Sequence, residues 1–480
     1  MSITQSLNNA LTGLRANARQ AELTSSNLSN ALTEGYGVRS LDLSSQTVGR
    51  ASAGVRIDGV TRHYDKGILA DRRLADAEVG AHNTKSDGLS ELERILGTPN
   101  DGAGLAARIV AVETALITAS TDPSSDLRLE GVTHALTAMS DSFNTAQDRI
   151  QAMREGADRS ISAQVGTLNA SLTRIEALNV DIQRARATGT EPSGLIDQRQ
   201  TAIDQISEIV PIRLLDRENG RVAVMTVQGE MLLDGPAPTY EFTAANTIMP
   251  QMTLGAGLLG GITRDGVPLA ADGYGALAGG SLEASFDMRD TVLTEAQTSL
   301  DAIARDVVVR FQDTATDLSR TGTTPGLLTD GRLIFTAANT SGLAGRVALN
   351  SLVDPNEGGE VRLIRDGVAA AAGPVGDASQ LNRWLDAMSN QRALSIGGPS
   401  GNATDHAARL SSKIGLDRLS AEDQSSFATA RWSAVREAEL AGGVDSDFEM
   451  QMLLRVEQAY AANAKVIETV QFMMRELMEL

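Results

Sequence analysis

ITQSLNNALTGLRANARQAELTSSNLSNA, residues 3–31, is the stretch that predicts the fold most directly. Small and apolar residues recur in it alternately four and three positions apart, which is the heptad pattern of a helix that packs along one seam. The seam consists of Ile3, Leu7, Ala10, Leu14, Asn17, Ala21, Thr24, Leu28 and Ala31. A polar seam residue such as Asn17 can fix the register of paired helices. The pattern therefore predicts a long N-terminal assembly helix.

The same spacing returns at the other end of the 480-residue chain. The C-terminal seam consists of Leu453, Val456, Tyr460, Asn463, Ile467, Val470, Met474 and Leu477. A seam of roughly 30 residues predicts a helix about 45 Å long. Two matched seams predict that the terminal helices pair as a coiled coil, with each other or with neighbouring subunits. Because one helix pair buries little surface, we expect the termini to be marginal alone and ordered on assembly.

Composition disfavours several classes of function. The net charge of −19 argues against a general nucleic-acid binder, because neutralising phosphates requires basic patches. The absence of cysteine removes disulfides, thiolate metal sites and cysteine nucleophiles. The four histidines lack the spacing of a zinc site or of a catalytic triad. The sequence shows neither a signal-peptide pattern nor an apolar run of about 18 residues, so we expect no cleaved signal and no membrane insertion.

The residues that follow the N-terminal seam form a motif. Residues 25–36 read SSNLSNALTEGY, which resembles the SNNIANxxTPGY signature of the flagellar rod, hook and hook-associated proteins. The matching positions include Asn27, Asn30, Thr33, Gly35 and Tyr36, whereas Ser26, Leu32 and Glu34 stand where the family has Asn, Asn and Pro. Gly35 stays available for a left-handed turn position. Residues 458–469 are similar to the C-terminal signature of the same family, so the resemblance involves both ends of the chain.

Between the ends, helical and extended patterns alternate. Residues 129–182 form a heptad ladder, which predicts a helix of about 80 Å if it is unbroken. A phase shift near Gly156 indicates a local change of supercoil or a kink. Extended segments are predicted at 38–62, 211–250, 333–335, 347–349 and 361–364, and Asn219-Gly220 is a strong hairpin signal.

A helical motif makes the resemblance more specific, because it points to one group of proteins within the family. Leu195-Ile196-Asp197-Gln198-Arg199 is similar to the LLDQR stretch of the hook-associated proteins at the hook–filament junction, and Gly279-Gly280-Ser281-Leu282 with Arg289-Asp290 is similar to a second stretch of theirs. We interpret Asp197, Gln198 and Arg199 as a structural helix motif rather than a catalytic one. An acid in the first turn is favoured by the helix dipole, and an arginine can form an ion pair across a bundle.

One segment matches a nucleotide-binding pattern. Residues 255–260 read GAGLLG and satisfy GxGxxG, but no strand–turn–helix context surrounds them, so the pattern predicts a surface loop that reaches a hairpin. A nucleotide-binding enzyme is therefore only a remote alternative. The sequence predicts no catalytic residue, no metal site and no cofactor.

The predicted fold class is mainly α with β-rich insertions, in an elongated multi-domain protein. Residues 1–34 and 448–480 are expected to form an inner terminal-helix domain, and residues 35–70 an extended connector. A long helical bundle is expected from residues 71–210, 281–325 and 376–447, and a β-rich outer region from residues 211–280 and 326–375.

The resemblance implies a structural, non-enzymatic function. A protein of this family would polymerise with itself in a ring or helical assembly at the distal end of the hook, between the hook protein and the second junction protein. It would be exported without a cleaved signal by the flagellar type III apparatus, with a cytosolic chaperone on its C-terminal helix, and would lie outside the cell. Another axial protein, of the hook or the distal rod, remains the alternative.

Overall fold

A computed structural model describes residues 3–33, 35–48, 51–98, 102 and 104–479. The described chain is 62% helical with small antiparallel sheets, which confirms the mainly α class. The helices are α1 Ile3–Ser29, α2 Lys66–Leu96, α3 Leu105–Thr121, α4 Asp126–Thr188, α5 Ser193–Ser207, α6 Ser281–Asp287, α7 Leu293–Gln312, α8 Arg362–Asp366, α9 Ser379–Ser389, α10 Ala403–Ala441 and α11 Ser446–Glu479.

Four small antiparallel sheets accompany the helices in the described residues. Their strands are β1 Val38–Val48, β2 Ala51–His63, β3 Ile212–Asp216, β4 Val222–Thr226, β5 Met231–Leu233, β6 Tyr240–Glu241, β7 Thr263–Arg264, β8 Val267–Pro268, β9 Leu328–Asp330 and β10 Val347–Leu349. The orders are β1-β2, β3-β4-β5, β6-β7-β8 and β10-β9. Strands β3, β4 and β5 form a meander within the extended segment predicted at 211–250. The predicted hairpin turn is confirmed, since Asn219 and Gly220 lie between β3 and β4 with positive φ angles of 58° and 78°.

The chain divides into two compact units. The first unit consists of Met1–Val79, Gly166–Thr239 and Ala428–Leu480, and the second of Gly80–Val165 and Tyr240–Phe427. The finer division into domains that was predicted from the sequence has boundaries different from those of these units, and it stays a prediction. Helix α2 begins at Lys66, inside the segment 35–70 that was predicted to be an extended connector.

In the first unit, α1 packs against α11 and against the β1–β2 hairpin. The two helices run antiparallel: an added Cβ at Gly13 would lie 2.9 Å from Nδ2 of Asn463, and Asn27 is bonded to Glu449. The hairpin contacts α1 so closely that an added Cβ at Gly54 would collide with Thr12. The first helix is therefore covered on two sides.

The second unit contains the large apolar core. Side chains from α3, the first half of α4, α7, α9 and α10 meet there, together with residues between 327 and 368. Trp384 is fully buried, contacts the Phe311 ring at a centroid distance of 5.5 Å, and donates its indole N–H to the Ile364 carbonyl. In the same unit, Arg289 of the second predicted motif is fully buried and forms an ion pair with Asp158 at 2.5 Å.

Two predicted strands in this unit are wrong. Residues 361–364 enter the short helix α8, in which Leu363 and Ile364 are buried, and Gly367 ends the helix with a φ of 108°. Residues 333–335 form no ladder strand beyond a single bridge between Leu333 and Asp330. Short apolar runs do not distinguish a strand from a buried helical turn, because both produce the same pattern over four residues.

No helix in the described ranges combines the length and the apolar character that crossing a membrane requires.

A matched pair of substitutions on α4 tests the core of the second unit. Leu136 is fully buried, whereas Leu127 on the same helix is 78% exposed. We expect Leu136→Ala to lower the free energy of unfolding by about 2–5 kcal/mol, because the substitution leaves a cavity. Leu127→Ala serves as the control and should change the free energy by less than about 0.5 kcal/mol. Urea unfolding followed by circular dichroism measures both, and equal losses in the two variants would contradict the described core.

Candidate assembly surface

The amide of Asn27, near the end of α1, is the centre of a buried hydrogen-bond network. Its Nδ2 donates to the Arg39 carbonyl at 2.9 Å and to Oε1 of Glu449 at 2.7 Å. Its Oδ1 accepts from the Arg39 N–H at 3.1 Å and from the Tyr36 hydroxyl at 2.8 Å. Asn27 is 1% exposed, and these bonds use both donors and both lone pairs of the amide. The network joins α1, the following turn, β1 and α11.

The other residues of the family signature build the turn after α1. Asn30 donates to the Ser26 carbonyl at 2.9 Å and accepts from the Thr33 hydroxyl at 3.3 Å. Gly35 has a φ of 76°, and an added Cβ there would lie 2.9 Å from the Thr201 hydroxyl of α5. The turn therefore needs glycine for its backbone angle and for its close approach to α5. Glu34, which departs from the signature, lies outside the described residues.

Asp197 fixes the hairpin to α5. Its carboxylate accepts from Nη2 of Arg39 at 2.5 Å and from Nε of Arg62 at 2.7 Å. It also accepts from the Gly37 N–H at 3.3 Å. Arg62 donates in addition to the Gln200 side chain at 2.7 Å. We call Asp197, Arg39 and Arg62 the Asp197 clamp.

The next two residues of the motif reach other elements. Gln198 is exposed and accepts from Arg174 of α4 at 2.6 Å. Arg199 is buried and donates to Oδ1 of Asn179 at 2.8 Å and to the Gly220 carbonyl at 2.7 Å. Burial lowers the pKa of Arg199 to about 10. Three consecutive side chains of α5 thus contact the hairpin, α4 and the turn of the meander.

The predicted seams differ in how much of them is covered. On α1, Ile3, Leu7, Leu14, Asn17 and Leu28 are half-buried. The seam residues Ala10 and Thr24 are buried, and so are Ala16 and Leu23, which lie off the seam. The hairpin covers this second side of α1, and a heptad pattern reports only one side. On α11, Val456 and Val470 are buried, Leu453, Asn463 and Ile467 are half-buried, and Tyr460, Met474 and Leu477 are exposed.

The last two turns of α11 expose a dense apolar cluster. Phe472, Met473, Met474, Leu477 and Met478 are between 40% and 82% exposed. We call these five residues the C-terminal apolar cluster. Exposed apolar groups this close together mark interaction surfaces rather than ordinary solvated helix. Met474 and Leu477 belong to the predicted seam. Phe472, Met473 and Met478 were not predicted, because they lie off the heptad positions.

The charged partners were not predicted from the sequence. Arg39 and Arg62 belong to no heptad and no motif, and each meets its partner only in three dimensions. Glu449 lies seven residues before Val456, in register with the C-terminal seam, and it is an acid in the first turn of α11, but as a charged residue it is not selected by an apolar pattern. Among the described residues, no group of three or more His, Cys, Asp or Glu side chains is arranged to hold a metal ion.

Comparison with known proteins found similar sequences. A family model described as the helical domain of flagellar hook-associated protein FlgK matches residues 89–324. The Bacillus subtilis relative named flagellar hook-associated protein 1 is 22% identical, over 94% of this chain and 93% of its own length. The Escherichia coli relative of the same name is 23% identical, over 96% and 97%.

A solved structure, that of the flagellar hook junction protein FlgK from Burkholderia pseudomallei, matches with a TM-score of 0.45 and 20% identity. The match covers 55% of this chain and 47% of that one.

The sequence comparisons define the class: over nearly its whole length the chain is similar to flagellar hook-associated proteins, a family of structural flagellar proteins. Residues 89–324 match the helical domain of flagellar hook-associated protein FlgK, and the resemblance predicted from the sequence is confirmed. The remote alternative fails its structural requirement, since Gly255–Gly260 lie in turns and no helix begins there.

Replacing the central amide tests the network. Asn27→Asp puts a carboxylate beside that of Glu449, which is 5% exposed, and removes the donor that binds it. We expect a loss of about 1–3 kcal/mol of local stability, because a buried charge is left without its partner. Hydrogen exchange should show faster exchange at the start of α11.

Asn8→Asp is the matched control, because Asn8 is an exposed residue of the same helix. Unchanged exchange near Glu449 in the Asn27 variant would show that the network does not hold the helix pair together.

Proposed function

We propose that the protein is a junction component that polymerises at the distal end of the flagellar hook and connects the hook to the filament through the second junction protein. The observation that carries this proposal is the antiparallel pairing of α1 with α11 around Asn27 and Glu449. This pairing joins the two signature-bearing ends of the chain and leaves the C-terminal apolar cluster uncovered. A protein that assembles with partners needs an exposed apolar surface of this kind, whereas in a monomeric protein the same surface would promote aggregation.

We further propose that the two terminal helices pack as a coiled coil in the assembly. The antiparallel packing of α1 against α11 supports this, and Asn463 of the C-terminal seam lies against Gly13 of α1. The elongated shape and the solvent-exposed outer β-rich region predicted from the sequence belong to the same proposal.

The C-terminal apolar cluster suits two partners at different times. Before export, a cytosolic chaperone covers it and prevents self-association. After export through the flagellar type III apparatus, neighbouring axial subunits cover it instead. In this proposal the cluster binds the chaperone first and the axial subunits later, because an apolar helical face can bind several partners in succession.

Deletion of the gene distinguishes the junction role from its alternatives. We expect cells with bare hooks and with flagellin lost to the medium, as seen by negative-stain electron microscopy and by assay of the medium. Hookless cells would instead indicate a rod or hook component, and normal filaments would contradict any axial role. Expression of the intact gene in the deletion strain should restore filaments.

Two substitutions test the cluster. Phe472 and Leu477 are each 59% exposed, so Phe472→Ser with Leu477→Ser should leave the fold unchanged. We expect this double variant to lose chaperone binding and filament formation, because it removes the apolar area that a partner would bury. The control is Phe427→Ser with Leu127→Ser, whose native side chains are 74% and 78% exposed elsewhere on the chain. Complete flagella in the cluster variant would contradict the assembly role of this surface.

A further inference from the structure

The first unit contains a cleft that the proposed junction role does not use. Its volume is about 630 Å³, and its walls come from β2, the start of α2, α5 and the β3–β4 hairpin. Eight cationic side chains line it against two carboxylates, in a chain whose net charge is −19. The cleft therefore concentrates positive charge on a protein that is otherwise strongly acidic.

Four of the eight cations already have carboxylate partners. The pairs are Arg62 with Asp197, Lys66 with Asp216, Arg73 with Asp204, and Arg217 with Asp234. Among the described residues, no ion pair is formed by the other four, which are Arg186, Arg199, Arg213 and Arg221. The charge of the cleft is thus only partly neutralised from within the subunit.

Two of the uncompensated groups converge on one turn. Arg199 is 7% exposed, and its guanidinium is bonded only to neutral oxygens, those of Asn179 and Gly220. The Arg186 guanidinium lies directly over Gly220, where any larger residue would collide with it. Together they hold positive charge at the inner wall of the cleft, and the depressed pKa of Arg199 reflects this burial and the nearby charge of Arg186. An oxyanion at this wall would stabilise both groups.

The rest of the cleft wall suits a polypeptide rather than a free ion. Ile196, Ile203, Ile212 and Leu214 contribute an apolar part, and Tyr64 lies at the wall with 45% of its surface exposed. A ligand that fills such a cleft needs both carboxylates and apolar side chains. Apolar, tyrosine and arginine side chains occur together in protein interfaces, where tyrosine and arginine are enriched.

We propose that this cleft binds a carboxylate-bearing segment of a second copy of the chain. The inference rests on the proposed polymerisation, and charge complementarity selects the occupant: a neighbouring copy carries a net charge of −19, which is opposite in sign to the cationic side chains of the cleft. The cleft also shares Arg62 with the Asp197 clamp, so it is continuous with the elements that the family motifs hold together. Oppositely charged faces of this kind set the register between subunits.

Photo-crosslinking tests the identity of the occupant. Tyr64→p-benzoylphenylalanine keeps an aromatic ring in the cleft, and the variant is expressed in the deletion strain. Irradiation of intact flagella should produce a covalent dimer of this chain, whose crosslinked peptide contains Asp or Glu beside an apolar residue. A product that contains any other protein, or no product on complete flagella, overturns the proposal.

Charge reversal tests the physical cause. Arg213→Glu with Arg221→Glu, made in the photo-reactive chain, should lower the yield of dimer roughly tenfold or more, because it replaces attraction by repulsion. Arg159→Glu with Arg184→Glu makes the same change in net charge at side chains that are 67% and 69% exposed, and should leave the yield unchanged. An equal yield from the two double variants overturns the proposal.

The two proposals fail separately. If the intact gene restores filaments to the deletion strain and no dimer forms through Tyr64, the junction role stands and only the cleft assignment is lost. If deletion gives hookless cells or normal filaments, the junction role is wrong. A dimer formed through Tyr64 would then show that the cleft joins copies of this chain in a different structure.

Discussion

A buried amide must have every donor and acceptor satisfied, and this requirement on Asn27 determines how the first unit is organised. An unpaired polar atom in a dry interior costs about as much as a whole hydrogen bond contributes. The observed arrangement satisfies Asn27 by bringing together the turn, β1 and the start of α11. The positions of Tyr36 and Glu449 then follow from one side chain, and a second polar centre at Asp197 fixes the hairpin to α5.

The sequence predicted the helices well and their polar connections poorly. A heptad over some 30 residues is a long-range periodic signal, and α1, α4 and α11 all follow theirs. The hairpin that covers the second side of α1 leaves no such signal, so Ala16 and Leu23 could not be recognised as core residues. The ion-pair and hydrogen-bond partners of Glu449 and Arg62 could not be predicted for a different reason. These partners lie 422 and 135 residues away, and no local pattern relates such positions. The strand predicted at 361–364 was wrong because the apolar residues Leu363 and Ile364 can be buried equally well in a strand or in a short helix.

Acidic and basic residues close together in a helix can be interpreted as catalytic groups. In α5, the hydrogen-bond partners of these residues distinguish a catalytic role from a structural one. Asp197 and Arg199 are two residues apart, yet the carboxylate is occupied by two guanidinium groups and the guanidinium by two neutral oxygens. Their arrangement is that of a polar joint among several elements, which suits a component of an assembly.

The bond between Asn27 and Glu449 also has a kinetic consequence. It closes a loop of 422 residues, and closing a flexible loop of that size costs about 5 kcal/mol of chain entropy. Contacts of such long range are formed late, after the intervening chain has become compact and has shortened the effective loop. Until then α1 and α11 are separate amphipathic segments, each accessible to other molecules. The interval between synthesis and closure is thus a window in which a binding protein can reach α11 before α1 does.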